Sequence, residues 1–437
     1  TANQKDFEKI PGSPIGYWLS EKATNIFKRK TDIRPVSAGL NKTANNDRFL
    51  RFVWEVTKES IGLNQKWINS VKGGQYRKWY GNLDYINNWS NKALTLIRKS
   101  SSGSLADLNF LGKKGFSWSS ITSSKPSFRY LPKNYTFNNG GLTLYILDDN
   151  DLLYSIGFYN SVVFIYFNKI LNPTLNVLNS DILNVPVIKE DNESIVILTS
   201  NCITISQHDW DSREISWDFQ QNDLIRCKIN CGQNCADIDL LTKEDRDEIL
   251  GMTKIPTNSN LLEDCYEAYK SKWRKKFFQL HRNEEELNRQ FIEIYGLQDE
   301  LTPDVPLEEI TILQEETSIK DGELVFHADE VFAQFVSYAV GCMFGRYSLD
   351  KEGLILANQG ETLQDYLEKV GRGEEELTFV PDRDNIIPVL DDEWFRDDIV
   401  ERFHTFLKAS FGEQNFRKNL DFVEECLGKD IRKYFTR

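Results

Sequence analysis

The chain is poor in the residues from which most catalytic centres are built. It has four histidines (His208, His281, His327, His404), two methionines and seven cysteines in 437 residues. The histidines are scattered, no HExxH motif occurs, and a histidine-based metal site has little support. The cysteine count is odd and its members are not closely paired, which fits a reducing cytoplasm better than a disulfide-stapled secreted scaffold. No apolar run reaches the ~18 residues of a membrane span. The longest, Val331 to Phe344, is broken by Gln334, Ser337 and Gly341, so no membrane partner is expected. No signal peptide opens the chain, and a start at Thr1 without an initiator Met reads as a piece of a longer protein. Glycine-rich phosphate loops of either the P-loop or the GxGxxG spacing are missing.

What is present is unevenly distributed charge. The net charge is −13, yet residues 1–150 hold 23 Lys+Arg against 11 Asp+Glu, leaving the remainder strongly acidic. A basic half joined to an acidic half provides one face for an anion, and basic residues with interleaved aromatics can supply phosphate contacts and counterion release. The length corresponds to about two to three domains at ~150 residues each.

Along the chain, residues 1–30 read as a connector, with a turn-rich entry at Ile10–Pro14 and a short helix between Gly16 and Lys30. Residues 31–207 show short apolar runs between Gly, Asn, Ser and Pro: Phe49–Val56, Phe128–Leu131, Leu142–Leu147 and Ile195–Leu198. These are strand signals. One helix, Asp151 to Leu171, interrupts them, with Asn172-Pro173 as its stop. In 208–300, apolar residues at Leu262, Tyr266, Tyr269, Trp273, Phe277, Leu280, Leu287, Phe291 and Ile294 step by three, four or seven, predicting a helix from about 260 to Tyr295 with Gly296 as its stop. At 1.5 Å per residue it is roughly 50 Å long, better suited to a spacer than to a catalytic core. Residues 301–437 follow as a helical C-terminal region, with helices at Glu330–Phe344, Thr362–Val370, Asp391–Phe411 and Asn415–Leu427. The predicted class is α+β: a β-rich domain, a long helical spacer and an α-helical C-terminal domain.

Two clusters invite a metal and neither is compelling. Cys227, Cys231 and Cys235 fall at i, i+4, i+8, which is not the usual pair of Cys-x₂₋₄-Cys pairs. Asp391, Asp392, Glu393, Asp397 and Asp398 crowd one segment, where acidic residues at a helix start are favoured by the macrodipole. Pro303-Asp304 and Pro381-Asp382 lack the downstream (Asp/Glu)-x-Lys of a nuclease. The strongest signal is basic. Asn41, Lys42, Asn45, Asn46, Arg48 and Arg51 crowd one loop-to-strand passage, and the run Lys72-Gly73-Gly74-Gln75-Tyr76-Arg77-Lys78-Trp79-Tyr80-Gly81-Asn82 follows. Two glycines let a loop approach a surface closely, and Arg, Lys, Gln and Asn clamp phosphates or read groove edges. Arg77 and Lys78 are expected at phosphates. Tyr76, Trp79 and Tyr80 either stack on bases or, the favoured reading, anchor the loop in the core. Trp118, Ser119, Lys125 and Arg129 extend the same face. The candidate DNA-binding residues are therefore Asn41, Lys42, Asn46, Arg48, Arg51, Lys72, Gln75, Arg77, Lys78, Ser119, Lys125 and Arg129.

Ordered blocks along the chain resemble the PglX family of BREX phage-defence systems, large adenine-specific DNA methyltransferases. They include Phe7–Leu19, Gly39-Leu40, Asn46–Phe52, Trp54-Glu55-Val56, Lys72–Asn82, Gly115–Trp118, Phe128-Arg129-Tyr130, Trp210-Asp211-Ser212, Val340–Asp350 and Asp384–Pro388. The resemblance implies that 31–207 is a target recognition domain for double-stranded DNA, that 1–30 leads from a catalytic core, and that S-adenosylmethionine serves the parent enzyme. The family's S-adenosylmethionine-binding Phe-x-Gly-x-Gly-type loop and Asn-Pro-Pro-Tyr motif do not occur in this chain, and Asn172-Pro173-Thr174 is no substitute, so no catalytic residue is assigned. The alternative reading is a scaffold that docks other phage-defence proteins; an intact enzyme such as a nuclease fits least.

Overall fold

Short β-branched and aromatic runs punctuated by Gly, Asn and capping Ser or Asp set the architecture of the first part of the chain. Helical spacing sets the second. The computed structural model describes residues 20–122, 125–172, 174, 176–230, 259–392, 394, 395 and 397–436. The expected turn at Ile10–Pro14, the start of the first helix, Pro173, Cys231, Cys235 and Glu393 lie outside the described residues. The class is mixed α+β with small sheets and a helical C-terminal region, as expected. The chain divides into two compact units, residues 1–210 with 277–312 and residues 211–276 with 313–437.

Among its described residues the first unit carries seven short strands. β1 (Leu50–Phe52), β2 (Trp67–Val71), β3 (Tyr85–Asn88) and β6 (Tyr135–Phe137) form a sheet in the order β1-β3-β2-β6, antiparallel except where β2 and β6 run parallel. β4 (Gly115–Ser119), β5 (Arg129–Leu131) and β7 (Gly141–Tyr145) form a three-stranded antiparallel sheet in the order β5-β4-β7. Against it pack the helices Asp149–Asn160 and Val162–Leu171, where one helix was predicted. Ser161 leaves helical geometry and caps the second through its hydroxyl. The core is aromatic: Phe116, Trp118, Phe128 and Tyr159 are all buried and within ring contact. Phe158 stacks on Tyr295 at 5.2 Å. Phe291 and Tyr295 belong to the long helix, so its C-terminal half is part of this core.

That helix spans Leu262–Tyr295, and Gly296 ends it with φ +67°, the left-handed geometry glycine adopts without cost. Eight of its nine predicted apolar positions are buried; Ile294 is half-buried, and Ile292 is buried instead. Two expectations need correction. Ile195–Leu198 is not a strand but lies in the helix Glu193–Asp211. Its β-branched residues suggested a strand, yet Ile195, Thr199, Cys202, Ile203, Ser206 and Trp210 are buried at helical spacing, and burial of that face outweighs local propensity. Asp391–Phe411 is helical only from Ile399.

The second unit contains a hairpin, β8 (Thr317–Lys320) and β9 (Glu323–Phe326), turned by Asp321 (φ +52°) and Gly322 (φ +80°). Positive φ at both central residues is the turn whose twist matches the strands. The helices Ala328–Met343, Ile399–Phe411 and Phe416–Leu427 enclose its core, with Phe335 touching Phe403, Phe406 and Phe411. Tyr266 and Trp273, from the N-terminal half of the long helix, are buried here, the latter donating from Nε1 to Asp223 at 2.8 Å.

Candidate nucleic-acid interface

The distinctive run Lys72–Asn82 leaves β2 and folds back against β4–β5 as a chain of hydrogen bonds. Trp79 N donates to Phe128 O (2.9 Å), Tyr130 N to Trp79 O (2.8 Å), and Asn82 Nδ2 to Gln75 O (3.0 Å). Gly73 has φ +89°, and a Cβ there would lie 2.4 Å from the carbonyl oxygen of Gly140. The close approach that this glycine permits is thus to the protein's own backbone. Trp79 holds a left-handed φ of +70°, costly for a bulky residue and stable only where its surroundings over-determine it. Its side chain is buried, as is that of Tyr80, while Tyr76 is half-buried, which matches the core reading of these aromatics.

Two cations of this run, Arg77 and Lys78, face inward. Lys78 is buried and forms an ion pair with buried Glu284, which also accepts from Trp79 Nε1 at 2.7 Å. Burial alone would depress the Lys78 ammonium, but Glu284 beside it, helped by Tyr76 and Glu309, holds its pKa above the ordinary lysine value. Arg77 pairs with Asp209 at 2.8 Å and lies over Trp210. Lys125 pairs with Glu309. Arg129 is buried; burial, with Arg77 nearby, lowers its pKa to about 10 against the opposing pull of Asp84. It donates to Arg77 O (3.2 Å) and reaches Ser119 Oγ at 3.5 Å, and Ser119 itself donates to Gly74 O (3.1 Å). Asn41 is buried too, donating to Thr136 Oγ1 at 3.1 Å and to Phe137 O. Arg77 and Lys78 therefore sit as internal ties to the helix Glu193–Asp211 and the long helix, Lys125 is a half-buried tie to the segment after it, and Arg129 is bonded to Arg77 O and Ser119.

The remaining candidates reach solvent. Asn46, Arg48 and Gln75 are exposed, and Lys42, Arg51 and Lys72 are half-buried. Asn46 accepts from Thr43 and from Asn138 (2.9 Å), and Asn138 N bonds Val71 O, so the 41–48 passage and the end of β2 meet at the segment after β6. Lys72 lies over the Tyr85 ring at 4.5 Å. Sequence reasoning passed over Lys66, Lys92, Arg98 and Lys99, exposed on the same unit, and the rings of Phe52, Trp54 and Tyr85. The acid partners carry no local sequence signal, being separated by 132 to 206 residues from their cations.

Among the described residues no group of three or more His, Cys, Asp or Glu is arranged to hold a metal, and no helix is long and apolar enough to cross a membrane. Asp398 is a buried helix cap accepting from Val400 N and Glu401 N and pairing with Arg432 at 2.7 Å. A cavity of about 50 Å³ lies beside Tyr76, Lys78, Trp79, Lys125, Glu284 and Glu309. Ligand pockets run to ~300–1,000 Å³, so this one does not fit S-adenosylmethionine.

No protein-family model matches the chain. Two bacterial proteins do. The adenine-specific methyltransferase PglX of Lacticaseibacillus casei (strain Zhang) is 33% identical over 447 aligned positions, covering 98% of this chain and 33% of that protein. The adenine-specific methyltransferase BrxX of Escherichia coli O9:H4 (strain HS) is 33% identical over 438, covering 97% of the chain and 33% of the relative. The chain spans about a third of the length of these relatives, and over that third it is similar to PglX and BrxX.

Proposed function

We propose that this chain supplies double-stranded DNA recognition to an adenine-specific, S-adenosylmethionine-dependent DNA methyltransferase of bacterial phage defence. Residues 31–207 act as the target recognition domain, 208–300 as the helical spacer and 301–437 as the helical C-terminal domain. The observation that carries the reading is the similarity along nearly the whole chain to PglX and BrxX. The basic residues of the first unit that reach solvent support it. Lys42, Arg48 and Lys72 are assigned to phosphates and Asn46 and Gln75 to groove edges, whereas Lys78 and Arg129 organise the domain from inside. An enzyme that modifies a base must take it out of the stack, and phosphate contacts that fix register on either side of that base hold the duplex while it does so.

Duplex binding by the whole chain, titrated with salt, tests this. Removal of one phosphate-binding cation lowers the slope of log affinity against log salt by ~0.9. Arg48→Glu with Lys72→Glu is expected to flatten the slope while leaving melting unchanged; binding and slope equal to the wild type would remove these residues from the interface. A second reading, docking of other phage-defence proteins, is favoured by one feature of the second unit. Ile386, Val389, Trp394 and Phe395, close together in sequence, are 69%, 48%, 76% and 57% exposed, and where exposed apolar groups form a contiguous patch they mark an interaction site. Trp394→Asp should then release such a partner without altering DNA binding.

A further inference from the structure

Across β1, β3 and the turn after β1, three aromatic rings stand in a row. Trp54 and Phe52 are stacked with centroids 4.6 Å apart and planes within 5° of parallel. Phe52 meets Tyr85, its register partner on β3, at 4.8 Å. Lys72 Nζ closes the row over Tyr85 at 4.5 Å. Trp54 and Phe52 are 39% and 37% exposed. Isolated exposed apolar residues are ordinary, but a contiguous, ordered row is not. The row is held rigidly: the Phe52–Tyr85 contact is fixed by strand register, and the turn that carries Trp54 is closed by Glu55, which accepts from Phe52 N at 2.7 Å. Among the described residues Phe52 is the one ring that Trp54 stacks on.

From this geometry we infer that the Trp54–Phe52–Tyr85 row is a stacking site for an unpaired nucleobase, a deepening that rests on the DNA-recognition reading. A flat aromatic ligand would extend the row at Trp54. The charge around the row suits the backbone of that ligand. Arg51, whose guanidinium donates to Asp47 O and Leu50 O, precedes Phe52 on β1, exposed Arg48 lies four residues before Phe52 in the chain, and Lys72 stands at the other end. Of the nearby acids, Glu55 accepts from Phe52 N and lies 4.0 Å from Arg51, Asp47 is exposed, and Asp84, beside Tyr85, has Arg77 and Arg129 as its nearby cations. A purely apolar protein partner would gain nothing from these cations. A base pair inside a duplex presents only its edges, so the row suits a base that is unpaired.

The test uses the whole chain and a fluorescent base, 2-aminopurine, whose emission is quenched by stacking. It is placed unpaired in a bulged duplex and paired in a control duplex. The wild type is expected to quench the bulged probe and to bind it more tightly than the control. Base–aromatic stacking corresponds to roughly 5- to 150-fold in affinity. Trp54→Ala should lose that preference and the quenching, while keeping control-duplex binding, its salt slope and the melting temperature; Trp54→Phe should retain most of the effect. Equal binding of both probes by wild type and Trp54→Ala overturns the stacking site and leaves DNA recognition intact. Absence of binding to either duplex at low salt overturns both.

Discussion

Replacing Lys78 by Met separates two roles for the most distinctive segment of the chain. Both side chains of the Lys78–Glu284 pair are nearly inaccessible, at 6% and 4% exposed. Met matches the length of the lysine stem but leaves the Glu284 carboxylate buried with only the Trp79 indole donor. Removing one partner of a buried ion pair costs about 3–5 kcal/mol, most of it from the uncompensated charge. For a domain of this size each kcal/mol moves the melting point by ~2–4 °C, so a fall of roughly 6–20 °C is expected. The second variant is Lys78→Met with Glu284→Gln. Gln keeps an oxygen for Trp79 Nε1 and carries no charge, so the double variant should melt above Lys78→Met alone. Near-ultraviolet circular dichroism during heating reads both. If Lys78 instead served a DNA phosphate, Lys78→Met would leave melting unchanged and lower the salt slope by ~0.9. A loss below about 1 kcal/mol, or a double variant no better than the single, refutes the buried tie.

Two more outcomes follow from groups in the second unit. Glu214 has its pKa pushed up to about 7 by burial, against the weaker opposing effects of the Ser337 hydroxyl and Arg346. The folded state therefore keeps a proton that the unfolded chain releases near pH 4.5. Stability falls as pH rises from about 4.5 to 7 and is then level, a loss of about 3 kcal/mol, and Glu214→Gln should flatten that part of a denaturation-versus-pH profile. Asp398→Ala removes two cap hydrogen bonds and leaves Arg432 without its carboxylate. A destabilisation of about 3–5 kcal/mol is expected, with no response of wild-type melting to magnesium or chelator; a magnesium-dependent rise would restore the acidic cluster as a metal site.

The fold was legible where local chemistry and packing agree. The long helix could be read to within two residues because its apolar spacing and its terminal glycine point the same way, and β5 and β7 showed as apolar runs between turn residues. Asp321-Gly322 is a hairpin signal of the plainest kind, overlooked among helical neighbours. Ile195–Leu198 misled because β-branched residues favour strands only when their neighbours are placed for a sheet. The helix beginning at Asn91 was missed although Ser90 caps it by accepting from Ala93 N. In the candidate interface, residue types were legible and directions were not. Nothing near Arg77, Lys78 or Lys125 indicates that Asp209, Glu284 and Glu309 will fold onto them.

That difference has a quantitative consequence for DNA. From Gly39 to Lys133 there are sixteen Lys and Arg and five Asp and Glu. Four of those cations, Arg77, Lys78, Lys114 and Lys125, meet acids that lie outside the stretch, and Arg129 is buried. Eleven others are at least partly exposed. If these eleven alone meet phosphates, the stretch gives a slope of about −10 for log affinity against log salt, at ~0.9 per phosphate. The raw composition would have allowed about −14. A measured slope between those limits would mean that the internal pairs open when DNA binds, or that cations elsewhere on the chain take part. Lys78→Met separates these cases, since it lowers the slope only in the first. A slope well short of −10 is what a domain held together by its own basic residues should give, with its specificity left to the exposed Asn46, Gln75 and the aromatic row.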